Sequence, residues 1–328
     1  MNKLSKFGPY LIFLAAMLWA TDAPFRVYLA SSLSSNFIVL AEHLVDILIA
    51  VPVLIWVWPE LKQLNLKSWI AVLFIAIGGS ALASVAFTEA FHYLNPSVAI
   101  LLQKLQPLIA ISLAAGLLRE RLRERFWLWA ALALAGAYVI SFPRLLPQLY
   151  VGEQFNPTTI GVVLALLAAI LWATSTVLGK YVLGKVSFKA MTSLRFVFAF
   201  LFLAIFNAYQ GSLNQVSQLT GKDILFIVII AVTSGIISLY IYYGGLQYTK
   251  ASIATIAELG FPLAAVLVNF VFLKATLVPV QVIGMVVLVL AIWQLGRVNR
   301  EEMALPPAPL TPPSTATPII PESSYAKN

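Results

Sequence analysis

The chain has 328 residues, 61% of them hydrophobic and 10% charged, with a formal net charge of +8 and a mean hydropathy of +0.91. A soluble domain averages about 45–50% apolar and about 25% charged residues, so an ordinary water-soluble fold is excluded. The absence of cysteine excludes disulfides, thiolate catalysis and cysteine-ligated metal.

The apolar residues fall in runs of roughly 20, each long enough to cross ~30 Å of hydrocarbon as a helix. In chain order they predict ten transmembrane helices: 8–30, 36–58, 68–92, 96–118, 125–143, 158–180, 188–209, 223–247, 250–273 and 278–297. Turn chemistry separates them at Ser31 to Ser35, Pro59, Asn95-Pro96, Pro143 to Pro157, and Gly211 to Gly221. Lys3 and Lys6 before the first run imitate a secretory leader, but the same segment recurs inside the chain, so it is read as a membrane span. Residues 303–328, rich in proline, cannot bury a core and are expected to form a disordered cytoplasmic tail.

With residues 1–7 in the cytoplasm, the loops on that side carry Lys62, Lys67, Arg119, Arg121, Arg123, Arg125, Lys180, Lys185, Lys189, Lys250, Arg297 and Arg300. The opposite side carries Arg144, Lys222 and Lys274. Short loops rich in Lys and Arg stay inside, so the positive charge orients the chain in a bacterial inner membrane, both termini cytoplasmic, and does not signal nucleic-acid binding.

The chain contains its own half. Leu14 to Thr21, LAAMLWAT, is repeated as Leu167 to Thr174, LAAILWAT. From Tyr93, YLNPSVAILLQKLQPLIA lies over YTKASIATIAELGFPLAA from Tyr248, which sets Gln103 on Glu258 and Pro107 on Pro262. The expected architecture is therefore an all-α polytopic membrane protein of two five-helix repeats, 8–143 and 158–297, joined by an external linker, 144–157. Five is odd, so the second repeat enters the membrane inverted, as in many secondary transporters.

At these residues the sequence resembles the EamA family of the drug/metabolite transporter superfamily, over about residues 8–297. Trp172 and Lys180 match the family's first-helix spacing, Arg195-Phe196 its second-helix Arg-Phe, and Glu120 its Glu after the fourth helix. In the first half Trp19 is followed by Arg26, and Glu42 stands where the second half has Arg195. The resemblance implies a ten-helix carrier with a central cavity, often exporting amino acids or other small metabolites.

Ionisable groups inside a bilayer usually face a cavity or a partner. Here they are Asp22, Arg26, Glu42, His43, Asp46, Glu89, Lys104, Arg195 and Glu258. Repeat alignment sets Glu42 on Arg195 and Lys104 one position from Glu258, so two gate pairs are expected, Glu42–Lys104 and Arg195–Glu258, with static helix ties as the alternative. Asp22 and Arg26, four apart, can pair locally. Glu42 and Asp46, also four apart but of like sign, are candidates for a proton-exchange site.

Pro107 and Pro262 should free the carbonyls of Gln103 and Glu258, which is tolerated in a membrane only beside protein or a wet cavity. The expected substrate pathway is thus Trp19, Asp22, Glu42, Asp46, Gln103, Lys104, Pro107, Trp172, Arg195, Tyr243, Glu258 and Pro262. Tyr240 and Tyr242 are further candidates to bind substrate, though core packing is the favoured reading of them. No HExxH, G-x-S-x-G or phosphate-cradling loop occurs, and the two histidines, His43 and His92, do not suggest a metal site. No cofactor is expected. A channel-like facilitator or an intramembrane enzyme are the alternatives to a carrier of small-molecule substrate.

Overall fold

A computed structural model of the chain describes residues 7–29, 32–90, 93, 102–103, 105–120, 122, 124–142, 150–151, 154–155, 159–273 and 278–303. The N-terminal lysines, Lys104, most of the 144–157 linker and the proline-rich tail lie outside the described residues.

The first predicted span is two helices. Helix α1 (Gly8–Trp19) passes through a 3₁₀ turn, Ala20–Asp22, into α2 (Ala23–Leu29). Pro24 removes a helical donor, and the Thr21 hydroxyl bonds back to the Leu18 carbonyl at 2.7 Å. Helix α3 (Ser35–Trp56) follows without interruption, and a 3₁₀ turn, Trp58–Gln63, ends the hairpin.

The third predicted span holds a π-helical segment, Phe74–Leu82, between α4 (Leu66–Leu73) and α5 (Ala83–Ala90). Asn65 caps α4 by accepting from Ser68 N–H. Helix α6 starts at Gln106 and runs to Leu117, with Pro107 in its first turn. Proline is favoured there because its missing N–H has no helical acceptor in any case. Helix α7 (Glu124–Ser141) completes the first half. A two-residue antiparallel ladder, β1 (Tyr150–Val151) with β2 (Gln154–Phe155), departs from the all-helical expectation.

In the second half α8 spans Thr159–Leu183 and α9 spans Phe188–Gln210. Ser187 caps α9, and Gly211, at φ +70°, closes it in the left-handed conformation that glycine adopts without strain. Thr220 and Asp223 form a capping box at the start of α10 (Gly221–Ile230). A second π-helical segment, Ala231–Ile237, leads into α11 (Ser238–Leu246). Then come α12 (Ala251–Ala257), α13 (Gly260–Leu273) and α14 (Pro279–Met303).

Among the described residues, seven continuous helical runs are long and apolar enough to cross a membrane. Their outer faces are apolar, with Leu48, Ile55, Ile205 and Ile283 exposed, as lipid contact requires. The halves interleave. Helix α1 packs on α11, α13 and α14, and α8 packs on Phe74–Leu82, α5 and α6. Helices α3 and α9 pair, as do α7 and α14. At the α7–α14 crossing a Cβ on Gly136 would meet the Gly284 carbonyl at 2.9 Å, and one on Gly284 the Gly136 carbonyl at 3.0 Å. Small residues allow this backbone approach, which drives helix association where lipid supplies no hydrophobic force.

Candidate functional site: two polar clusters inside the bundle

Glu258 sits at the break between α12 and α13. Pro262 has no N–H to reach the Glu258 carbonyl, but that carbonyl is not left free as the sequence suggested. It accepts a tighter bond from Phe261 N–H at 3.1 Å, and the chain restarts as α13. The Glu258 carboxylate gathers three donors from three other helices. Oε1 accepts from the Tyr242 hydroxyl of α11 at 2.7 Å and the Thr176 hydroxyl of α8 at 3.2 Å. Oε2 accepts from Gln106 Nε2 at 2.9 Å. Gln106 is the first residue of α6, so the start of one interrupted helix meets the break of the other. The Thr176 and Tyr242 hydroxyls also lie 2.9 Å apart, so the single Thr176 proton is shared in alternation between Tyr242 and Glu258. The Trp19 ring lies 5.3 Å from that of Tyr242.

Arg195, on α9, points to the same region by another route. Its Nε donates to Ser80 Oγ at 2.6 Å and its Nη1 to the Tyr243 hydroxyl at 2.8 Å. Ser80 lies in the first π-helical segment, and Tyr243 is fully buried on α11. The expected Arg195–Glu258 ion pair does not form. Successive tyrosines on α11 take one charged group each, because neighbouring helix positions point about 100° apart. Neutral groups, hydroxyls and the Gln106 amide, hydrogen-bond both side chains without direct contact between them. Trp172 donates its Nε1–H to the Gly79 carbonyl at 3.0 Å, tying α8 to the π-helical segment. A Cβ on Gly79 would collide with Ser175 Oγ.

The second cluster lies at α2 and α3. Arg26 Nε meets Asp22 Oδ2 at 2.5 Å, and its Nη2 meets Glu42 Oε2 at 2.8 Å. The local Asp22–Arg26 contact is present, and the same guanidinium reaches Glu42. Lys104, the partner expected for Glu42, lies outside the described residues. His43 bonds the Val39 carbonyl through Nδ1 at 2.8 Å. Glu42 Oε1, His43 Nε2 and Asp46 Oδ1 are buried without a hydrogen-bond partner. The two clusters are linked through the second π-helical segment. There Ser234 Oγ donates to the Leu18 carbonyl at 3.2 Å, and a Cβ on Gly235 would stand 2.7 Å from Asp46 Oδ1.

Gln103 is half-buried one turn before α6, and Pro107 and Pro262 are buried near the start of α6 and α13. Glu89 is half-buried near the end of α5. Sequence reading did not single out Gln106, Thr176 or Ser80. Gln106 carried a signal, a second amide beside Gln103 in an apolar run. Thr176 and Ser80 carried none, since small hydroxyl residues are common in membrane helices.

At one end of the bundle, carboxylates of the first half cap helices of the second. Glu120 accepts from Ala251 N–H (2.7 Å), Ser252 N–H (3.1 Å) and Ser252 Oγ (2.5 Å). Glu60 accepts from Ser187 N–H (2.7 Å) and Ser187 Oγ (3.0 Å). Lys180 Nζ donates to the carbonyls of Leu246 and Gln247, both at 3.0 Å, at the end of α11.

A bundle of apolar helices with charged and aromatic groups turned inward is the build of a membrane transporter. The sequence profile of the EamA-like transporter family matches the chain twice, over residues 6–142 and 159–296, and the chain belongs to that family, within the drug/metabolite transporter superfamily. It is 30% identical over 297 residues to the riboflavin transporter ImpX of Fusobacterium nucleatum subsp. nucleatum, covering 89% of this chain and 98% of that one. It is 24% identical over 221 residues to the uncharacterized transporter YetK of Bacillus subtilis, covering 67% and 66%. A crystal structure of a protein 18% identical in sequence shares the fold, with a TM-score of 0.70 over 90% of this chain and 97% of that chain.

Proposed function

We propose that the protein is a secondary carrier that moves a small organic solute by alternating access, with ten helices in two inverted repeats around the Glu258 cluster. The observation that carries this reading is the meeting of two helix interruptions at one carboxylate: Gln106 at the start of α6 donates to Glu258 at the α12–α13 break. Interrupted helices facing each other at the repeat interface are where carriers bind substrate. The repeat alignment pairs these two interruptions, and it also pairs the two π-helical segments. The same relation exchanges the packing of α1 on the second half with that of α8 on the first. In this reading both termini lie in the cytoplasm of a bacterial inner membrane.

The solute best matched to the site is a planar heterocycle with polar edges, of the flavin kind. Glu258 offers acceptors, Arg195 donors, and Trp19 and Tyr242 ring faces. ImpX, the relative named as a riboflavin transporter, supports the same class; amino acids, which the resemblance also suggests, are the second candidate. The net direction, expected outward from the resemblance, follows the gradients imposed on the carrier.

Counterflow in proteoliposomes tests the reading. Vesicles loaded with unlabelled riboflavin should take up labelled riboflavin faster than empty ones. Uptake without trans-stimulation would mark a channel, and no uptake would remove riboflavin as substrate. Amino-acid counterflow in the same vesicles then decides the second candidate.

A further inference from the structure

We propose that Asp46, backed by Glu42, is a proton-binding site that couples solute movement to a proton gradient; this rests on the carrier reading above. Asp46 is 2% exposed and Glu42 5%. They lie one turn apart on α3, with Cβ atoms roughly 6 Å apart by helix geometry. Glu42 holds Arg26 through Oε2, and Arg26 is shared with Asp22. Fully ionised, and counting the described residues of this cluster, Asp22, Glu42 and Asp46 would set three negative charges against one guanidinium that is itself partly exposed. A buried charge without a partner is strongly unfavourable, and the group able to shed it is the one outside the ion-pair network, Asp46.

Among the described residues, no cation beyond the shared Arg26 pairs with this cluster, and none makes an ion pair with Asp46. On α3 itself stand Glu42 and His43, whose Nε2 is also unpartnered. Helix α9, packed along α3, brings Arg195, which keeps its charge but directs its guanidinium to the Ser80 and Tyr243 hydroxyls and makes no ion pair with Asp46. The packed π-helical segment Ala231–Ile237 contributes no titratable side chain. Lys222 and Asp223 on α10 stand at its start, where Asp223 is held by Thr220. Glu89 on α5 adds only a further carboxyl group. The turns Trp58–Gln63 and Ser212–Gln218, packed at the ends of α3, bring Glu60, held by Ser187, and Lys62 from the first, and no titratable side chain from the second.

What Asp46 does meet is backbone of the other half. Its Oδ1 lies where a Cβ on Gly235 would come within 2.7 Å. A neutral acid fits against that glycine. Among the described residues no donor reaches Oδ1 of a carboxylate there, so loss of the proton favours separation of α3 from the π-helical segment. The chemistry is one proton leaving or joining one carboxyl oxygen. Its leverage is differential: the packed and parted arrangements hold the proton with different affinity, so proton binding shifts their populations.

Two measurements on the full-length protein in liposomes test this. Infrared spectroscopy at neutral pH should show a carboxylic-acid C=O band that disappears in Asp46→Asn. An imposed pH gradient should change riboflavin flux several-fold in the wild type, and whatever flux Asp46→Asn retains should not respond to it. Asp46→Glu, which keeps an acid, should restore the response with a displaced pH midpoint, and it decides the matter if the asparagine variant fails to fold. An unchanged band, or an undiminished gradient response in Asp46→Asn, overturns the proposal. If the wild type shows no riboflavin counterflow, the riboflavin reading falls while the infrared result still decides the proton site.

Discussion

Glu258 carries no salt bridge, and that shapes what its substitution should do. Its carboxylate accepts from Tyr242, Thr176 and Gln106, each a neutral donor that, in the carrier proposed above, a solute would displace. Hydrogen bonds to a charged group are worth about 1.5–3 kcal/mol, so Glu258→Gln should weaken solute binding by about tenfold or more while leaving the fold intact, as measured by binding titration and thermal unfolding. Arg195 behaves differently, because its fork joins Ser80 of one half to Tyr243 of the other. Lysine is a point charge and cannot make both bonds in that geometry. Arg195→Lys should therefore lower stability, and combining it with Tyr243→Phe should cost less than the sum of the two. Additive effects in that double-mutant cycle would mean the bond contributes nothing.

The same residues mark how far the sequence could be read. Glu258, Arg195, Glu42 and Asp46 were legible because a charge in an apolar run has few inexpensive explanations. Their partners were not. Opposite charges placed on equivalent helices invited direct pairing, yet hydroxyls from distant helices intervened, and no spacing along one chain reports which serine or tyrosine crosses a bundle. Arg26 was readable as the partner of Asp22 by its i, i+4 spacing; its reach to Glu42, sixteen residues away, needed the fold.

At the scale of elements, the described helices follow the apolar runs closely, and what the runs concealed is interruption. The break at Glu258–Leu259 was signalled by Pro262. The two π-helical segments were silent, since a local widening of the helix does not disturb the apolar pattern of the run that contains it. Gly78-Gly79-Ser80 and Ser234-Gly235 lie inside them, where backbone is approached by Ser175 and Asp46. Close backbone approach also governs α7 and α14. Gly284→Leu should force them apart, and overpacking of this kind costs about 1–3 kcal/mol. We expect a melting temperature lower by several degrees, while Ile283→Leu, on the exposed face next door, should leave it unchanged. Equal melting of the two variants would show that the crossing is not tightly packed.

For the whole molecule, the exchange of α1 and α8 between halves means that neither half completes its own interior. In the carrier proposed above, a motion of one half against the other would slide these two helices over their hosts, and the Glu60 and Glu120 contacts at the basic end would have to let go. The natural chain has no cysteine, so a single Gln106→Cys reports access to the interior without background. Adding Glu120→Gln should speed its labelling by a membrane-impermeant thiol reagent applied at that end. An unchanged rate would mean the Glu120 contact does not hold the end closed.

The carboxylates of Glu60 and Glu120 then acquire a meaning in terms of waiting time. Glu120 accepts amide donors from the first turn of α12 and Glu60 holds the amide and hydroxyl of Ser187, the cap of α9; a cap is worth about 1 kcal/mol, and opening the end would forfeit both. About 2 kcal/mol corresponds to a population ratio of roughly thirty to one. In the carrier proposed above, an unloaded protein would thus spend most of its time with the basic end shut, and the wait for that end to open would set the pace of the cycle.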